Sequence, residues 1–222
     1  MRKFKNVLFA MQLCSILSLT LFIAATASAQ TSGAAAAQDG SIATPSVPDD
    51  VKVEAGNEVF LVGHATGTQN YICLPSGSGV AYSLFTPEAT LFDDKGGQII
   101  THFFSLNPFE PGVIRATWQS SQDTSTVWAK VTGTATSDTD PTFVRQGAIA
   151  WLRLDVKDIG PGALAGPTGG VKLVKTTFIQ RINTVGGLAP STGCSSSADI
   201  GNKAFRPYTA DYVFYKATGG DN

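Results

Sequence analysis

The stretch "STVWAKVTGTAT", residues 125–136, alternates in character. Val127, Ala129 and Val131 fall on one side, Thr126, Lys130, Thr132 and Thr134 on the other, with Trp128 on the mostly polar side. Successive side chains of an extended chain point to opposite faces, so this period of two marks a half-buried β-strand. The same pattern runs through "EVFLVGHA", "NYICL", "ATLFD", "AIAWLRLDV", "KTTFIQRI" and "ADYVFYKA". Each run is short, rich in Val, Ile, Thr and aromatics, and bounded by turn-forming clusters such as "PSGSG", "DDKGG", "SDTDP", "GPG" and "GPTGG". No long 3.6-residue stripe occurs after the N-terminal region, so the pattern predicts an all-β, single-domain antiparallel β-sandwich or barrel of roughly eight to ten strands. "DDKGGQII" predicts a hairpin turning at Asp93–Gly97, with its aspartates as turn formers rather than calcium ligands.

The first residues have a different logic. "MRKFK" is followed by an apolar run from Val7 to Ala25 and then by "ATASAQ", the charged, apolar and small-residue order of a secretory signal, with cleavage expected after Ala29. Gln12, Cys14, Ser15 and Ser18 dilute the run, which argues against a retained membrane span. Residues 30–48 form a small, polar leader with too few large apolar groups to offset its ordering entropy. Residues 49–217 make the β-rich domain, and 218–222 a short tail. The expected localisation is therefore secreted, either extracellular or periplasmic.

Charge and cysteine content narrow the partners. Cleavage removes three of the 16 basic residues (Arg2, Lys3, Lys5) and none of the 17 acidic ones, so the mature chain carries 13 against 17, a net charge of −4. With no Lys/Arg cluster, neither nucleic acid nor an anionic membrane surface is an expected partner. Cys73 and Cys194 remain after processing, and an even count in an exported chain reads as one disulfide. By chain-entropy reasoning, closing so long a loop contributes about 4–5 kcal/mol. A metal pair is the rival, but it lacks C-x-x-C spacing and a neighbouring histidine.

Candidate chemistry is sparse. His64 and His102 have no H-x-x-x-H partner, so no metal site is expected, and each reads as a strand histidine bonded to backbone or a neighbour. "PSGSGV" is turn chemistry, not a nucleophile elbow, and "NTVGGLAP" lacks the strand–glycine–helix context of a dinucleotide fingerprint. No catalytic residues and no cofactor are assigned. What remains is a polar and aromatic set: Gln69 and Tyr71; Gln180, Arg181 and Asn183; Tyr208, Asp211 and Tyr212, with Tyr215 beside them. A Cys73–Cys194 bridge would bring the first two groups together. Such a set can form a ligand-binding floor, with aromatics stacking and amides fixing orientation, or a satisfied polar network pinning strands.

The segments "GTQNYICLPS", "TPEATLFDDKGGQIITHFF", "AIAWLRLDV", "FIQRINTVGGLAPSTGC" and "RPYTADYVFYKA" together resemble the DUF3455 family of secreted bacterial and fungal proteins, which has no assigned function. Gly67, Gln69, Tyr71 and Cys73 match its G-x-Q-x-Y-x-C segment. The chain departs from the pattern at residues 80–84 and 105–118, where "VAYSLF" and "SLNPFEPGVIRATW" stand in place of a Trp before P-E-A-x-L-F-D and a G-P-x-W-E-like stretch. The resemblance implies secretion and a small β-rich domain, and it supplies no catalytic residues.

Three functions are compatible with these features. The first is a non-enzymatic module binding a small molecule, glycan or surface partner. The second is a carboxylate-dependent hydrolase using Glu88, Asp93 or Asp211 with His64 or His102. The third is a structural or protective extracellular protein with a filled core. For the leader itself the expectation is direct: the exported protein should begin at Gln30 by intact mass, and retention of residues 1–29 would overturn the signal assignment.

Overall fold

The computed structural model describes residues 42–219, so the expected signal peptide, residues 30–41 of the leader and residues 220–222 of the tail lie outside the described residues. Nine strands form in chain order: β1 (Asn57–Ser76), β2 (Gly79–Phe92), β3 (Gln98–Leu106), β4 (Ile114–Ser120), β5 (Thr126–Ala135), β6 (Trp151–Asp155), β7 (Ala163–Leu164), β8 (Thr176–Gly186) and β9 (Lys203–Ala217). Every pairing is antiparallel.

The sheet runs β4-β3-β2-β1-β9-β8-β6-β5, and β4 also pairs with β5, with Ala116 opposite Ala129 and Trp118 opposite Val127. That last pairing closes the sheet on itself into an eight-stranded barrel, with β7 adding a short pairing to β5. Of the two all-β architectures open to the sequence, the barrel is the one that forms, and closure removes the unpaired edges that a sandwich leaves.

Alternation sorts the side chains as expected. Val127 and Ala129 join the cluster inside the barrel with Leu91, Ile100, Trp118, Leu154, Ile179 and Phe214. A second cluster lies on the outer wall, where Val59, Trp151, Phe178, Ile182, Val213 and Tyr215 are covered by Val51, Val144 and the partly buried Val47, Val53 and Phe143. The 3-10 turn Asp49–Val51 is pinned there because Gln180 Nε2 donates to the Val51 carbonyl (2.6 Å) and Tyr215 donates to Gln180 Oε1 (2.6 Å). Trp128, on the outer side of β5, is sheltered by Phe109 and donates its Nε1–H to Ser105.

The Asp93–Gly97 hairpin forms as the sequence predicts. The Asp93 carboxylate accepts the Lys95 and Gly97 amides at 3.0 and 2.8 Å, which occupies it as a turn former.

Cys73, near the end of β1, is bonded to Cys194, 121 residues later, with the Cα atoms 5.5 Å apart. The chain leaves β8 through Gly186 and Gly187 (φ 70° and 83°), conformations that cost other residues steric strain. A Cβ on Gly187 would also lie 3.0 Å from both Ile149 and Tyr208 side-chain atoms. Gly193, at φ 88°, leaves room for the Tyr82 hydroxyl, which donates to the Gly193 carbonyl at 3.0 Å. Tyr82 stands opposite Cys73 in the β1–β2 ladder, so bond and hydrogen bond fix the same corner.

Replacing Cys194 by Ser should therefore cost about 2–5 kcal/mol in denaturant unfolding. Cys73→Ser should cost about the same and the double variant little more, because each change removes one shared bond. Two titratable thiols in the unreduced, denatured protein would overturn the assignment.

Candidate functional site

The two ends of the barrel differ in how they are filled. At the end toward Leu91, Ile100 and Phe214 the interior is packed with large side chains, each at most 1% exposed. Trp118 stacks on His102 with centroids 4.3 Å apart at 11°, and Tyr212 meets both rings from β9, at 5.0 and 5.6 Å. These three aromatics span the barrel and form a floor.

Beyond that floor the interior positions become small or stop short of the centre. Two residues before Trp118 on β4 stands Ala116, and Ala129 faces it from β5. The result is a cavity of about 550 Å³ at the end that carries the disulfide corner. Its walls are mostly apolar, with Leu84, Phe104, Ile114, Val131, Leu152 and Leu188 among them, while Gln69, Tyr71, His102, Arg181 and Tyr212 are polar side chains toward the floor and Arg115, paired with Glu110, and Lys130 also line it. Leu84 and Ile114 are 41% and 60% exposed, so the apolar wall reaches the surface at the mouth. Volumes of this size with a few convergent polar groups are typical of small-molecule sites, and an eight-stranded barrel is just wide enough to hold one such ligand.

Most of the polar groups are hydrogen-bonded, and two buried donors among them are not. Gln69 is 2% exposed and its Nε2 closes no hydrogen bond, although the amide lies beside Tyr208 and bears on that hydroxyl. Trp118 is fully buried, and its Nε1, a donor only, is also unpaired. A buried donor without an acceptor costs roughly 1–3 kcal/mol. Arg181 donates from Nε and Nη2 to the Ala150 carbonyl at 3.1 and 2.9 Å. Its charge acts on Tyr71, His102, Tyr208 and Tyr212, and no carboxylate lines the cavity or pairs with it among the described residues.

Titration behaviour follows from burial. His102 is 3% exposed, and loss of hydration pushes its pKa down to about 3. It is neutral near pH 7, Nδ1–H donating to the Thr117 carbonyl at 2.8 Å, which leaves Nε2 as an acceptor. Burial raises the pKa of Tyr71, Tyr208 and Tyr212, so all three hydroxyls stay protonated. Tyr71 donates to the Gly187 carbonyl (2.7 Å), and Tyr208 and Tyr212 share a hydrogen bond of 3.1 Å.

The polar set singled out in the sequence divides. Gln69, Tyr71, Arg181 and Tyr212 line the cavity, with Tyr208 directly behind them. Gln180 faces outward into the Val51 cluster, and Asn183 and Asp211 lie on the outer wall, where Asn183 Nδ2 donates to Asp211 Oδ2 at 2.7 Å. Strand alternation separates Gln180 from Arg181 and Asp211 from Tyr212, since neighbours in a strand face opposite ways, and a bulge between Ile182 and Val185, with Asn183 at φ 53°, turns Asn183 outward although it is two residues from Arg181. The wall residues Leu84, Ile114, Leu152 and Leu188, and the floor residue Trp118, were not among the sequence candidates. Period-two counting outward from Arg181 and Tyr212 along each strand was the available signal.

Of the acids and histidines considered for hydrolysis, only His102 lines the cavity. His64 lies on the outer wall between Asp211 (Nδ1, 2.7 Å) and Asp94 (Nε2, 2.9 Å), Glu88 is exposed, and Asp93 is held in its turn. No cluster of three or more metal-ligating side chains suited to a metal ion occurs among the described residues. Among the same residues, no helix is long and apolar enough to cross a membrane.

One family's sequence profile, described as "Protein of unknown function (DUF3455)", matches residues 54–216. No curated protein and no solved structure matches the chain.

The two histidines should titrate apart. Hydrogen bonds donated to Asp94 first and Asp211 next raise the His64 pKa above 6.5, so its contribution to stability is complete below pH 6.5 and is lost as pH rises through the raised value. His102 has the opposite sign. Its unfolded form takes up a proton below about pH 6.5 and its folded form only near 3, so stability falls as pH drops through that window. Imidazole proton shifts followed by NMR should give one midpoint above 6.5 and one far below, and a His102 midpoint near 6.5 would overturn its burial as neutral imidazole.

Proposed function

Since the chain belongs to the DUF3455 family, whose description carries no activity, we propose from the geometry that it is a secreted, non-enzymatic binding module that holds one small amphipathic molecule in the barrel mouth. The observation that carries this reading is the cavity of about 550 Å³ in which apolar walls stand over buried polar atoms without partners. Apolar walls take up ligand surface by the hydrophobic effect, and sparse polar groups fix its orientation. Secretion is supported by the charged, apolar and small-residue order of residues 1–29 and by the disulfide, which persists in an oxidising compartment.

The alternatives fit less well. A hydrolase of the kind considered needs carboxylates converging on the ligand, whereas Glu88, Asp93 and Asp211 lie elsewhere. A purely protective protein needs no open interior of this size.

Medium-chain amphiphiles such as decan-1-ol and decanoate serve as probes, with the change in tryptophan emission as readout because, of the three indoles, that of Trp118 lies in the floor. The mature protein should bind at least one of them at a single site. Ala116→Phe, which places a ring in the void rather than in packed core, should weaken that binding at least about tenfold while shifting the unfolding midpoint little. Val185→Ser on the exposed wall should leave it unchanged. If neither probe binds, or if Ala116→Phe binds as well as the unaltered protein, the barrel is not the site.

A further inference from the structure

We infer that the ligand held in the barrel carries an anionic head, a carboxylate in the simplest case, and that this head sits against Arg181 with the apolar body directed toward the mouth. The inference rests on the binding reading above and adds the charge and orientation of what is bound.

Three observations converge on it. The first is the donor excess at the base of the cavity. Trp118 Nε1 is a buried N–H group without an acceptor, Gln69 Nε2 has only the Tyr208 hydroxyl beside it, and both belong to side chains lining one void. The second is the guanidinium of Arg181. Part of it is spent on the Ala150 carbonyl and on the Tyr212 hydroxyl, both neutral acceptors, but no carboxylate pairs with it among the described residues and none lines the cavity, so its charge has no anionic partner in a half-buried setting. Charges withdrawn from water are ordinarily paired. The third is the sign of the lining: Arg115 and Lys130 line the cavity beside Arg181 and no carboxylate does, while His102 is neutral and the tyrosine hydroxyls remain protonated, so no wall group repels an arriving anion.

A carboxylate answers all three. It is acceptor-only, it can take N–H groups from a guanidinium fork, and its second oxygen can accept from a neighbouring neutral donor. Orientation follows from polarity, because Leu84, Ile114 and Leu188 make the mouth largely apolar and Arg115 there is already paired with Glu110, while Arg181 and the neutral donors lie below it. A cationic ligand would meet Arg181 as a like charge, and a ligand without an acceptor head would leave the same donors unpaired.

The experiment compares decanoate with decan-1-ol, matched in chain length, on the mature protein at pH 7.5, by calorimetry and by tryptophan emission. Decanoate should bind on the order of tenfold or more tightly, as expected for hydrogen bonds to a charged group. Arg181→Gln should erase the difference by weakening decanoate and leaving decan-1-ol nearly unchanged. Arg181→Lys should keep part of the preference, since it retains charge but loses the planar fork. Equal binding of both probes to the unaltered protein, or an undiminished preference in Arg181→Gln, overturns the anionic head while leaving the binding module intact. Binding of neither probe overturns the module itself. Should Arg181→Gln fail to fold, the comparison of the two probes on the unaltered protein still decides the question.

Discussion

The pairing of β4 with β5 is what turns a ribbon of antiparallel strands into a vessel. Without it, β4 and β5 would each present unpaired N–H and C=O groups, and the two faces of the sheet would both need covering from outside. With Ala116 opposite Ala129 and Trp118 opposite Val127, one face becomes an interior whose diameter is set by the number of strands in the ring. Everything inside then competes for a fixed cross-section. Trp118, His102 and Tyr212 fill it at one level, whereas Ala116 and Ala129 leave it open at another. The cavity is thus a consequence of closure combined with a change from large to small residues along the same strands.

Closure alone would leave the mouth ragged, and the disulfide corner shapes part of its wall. The bond between Cys73 and Cys194 ties the segment after β8 back to the end of β1. That segment carries Gly187, whose carbonyl accepts the Tyr71 hydroxyl, and Leu188, which lines the void. Ala148 bridges to Gly187 and Ile149 bonds to the Gly186 carbonyl, so the β6 approach is drawn into the same corner. Covalent staple, glycine conformation and cavity wall are therefore one construction. Loosening the staple is expected to disturb the ligand-facing wall as well as global stability.

Much of this was legible from residue order, and the limits are physical. Alternation gave the all-β class because burial on one face imposes a period of two, and turn chemistry gave the Asp93–Gly97 hairpin. Whether the sheet closes depends on one long-range pairing that no local pattern encodes, so residue order left sandwich and barrel both open. The polar set contained the cavity's Gln69, Tyr71, Arg181 and Tyr212 because buried polar residues in apolar strands stand out. It also contained Gln180 and Asp211, because proximity in sequence was weighed without the rule that strand neighbours face opposite ways, and Asn183, which a bulge that no residue pattern announced turns outward. Trp118 and the apolar wall were invisible, since an interior residue that lines a void reads in sequence like one that packs a core.

The cavity also divides along the line between what this chain shares with the DUF3455 pattern and what is its own. The segments that carry the resemblance supply the polar side: Gln69 and Tyr71 from "GTQNYICLPS", Arg181 from "FIQRINTVGGLAPSTGC" and Tyr212 from "RPYTADYVFYKA". The stretches that depart from the pattern, residues 80–84 and 105–118, supply Leu84, Ile114 and Ala116 to the wall and mouth, together with Trp118 in the floor. A polar head recognised by the first set constrains chemistry, because unpaired buried donors penalise any group that cannot accept. An apolar wall constrains mainly volume, since a methylene more or less is worth only about 1–3 kcal/mol in such a pocket. On the proposed reading, the donors and Arg181 set the class of ligand, and the chain's own wall residues set how large a body that ligand can carry.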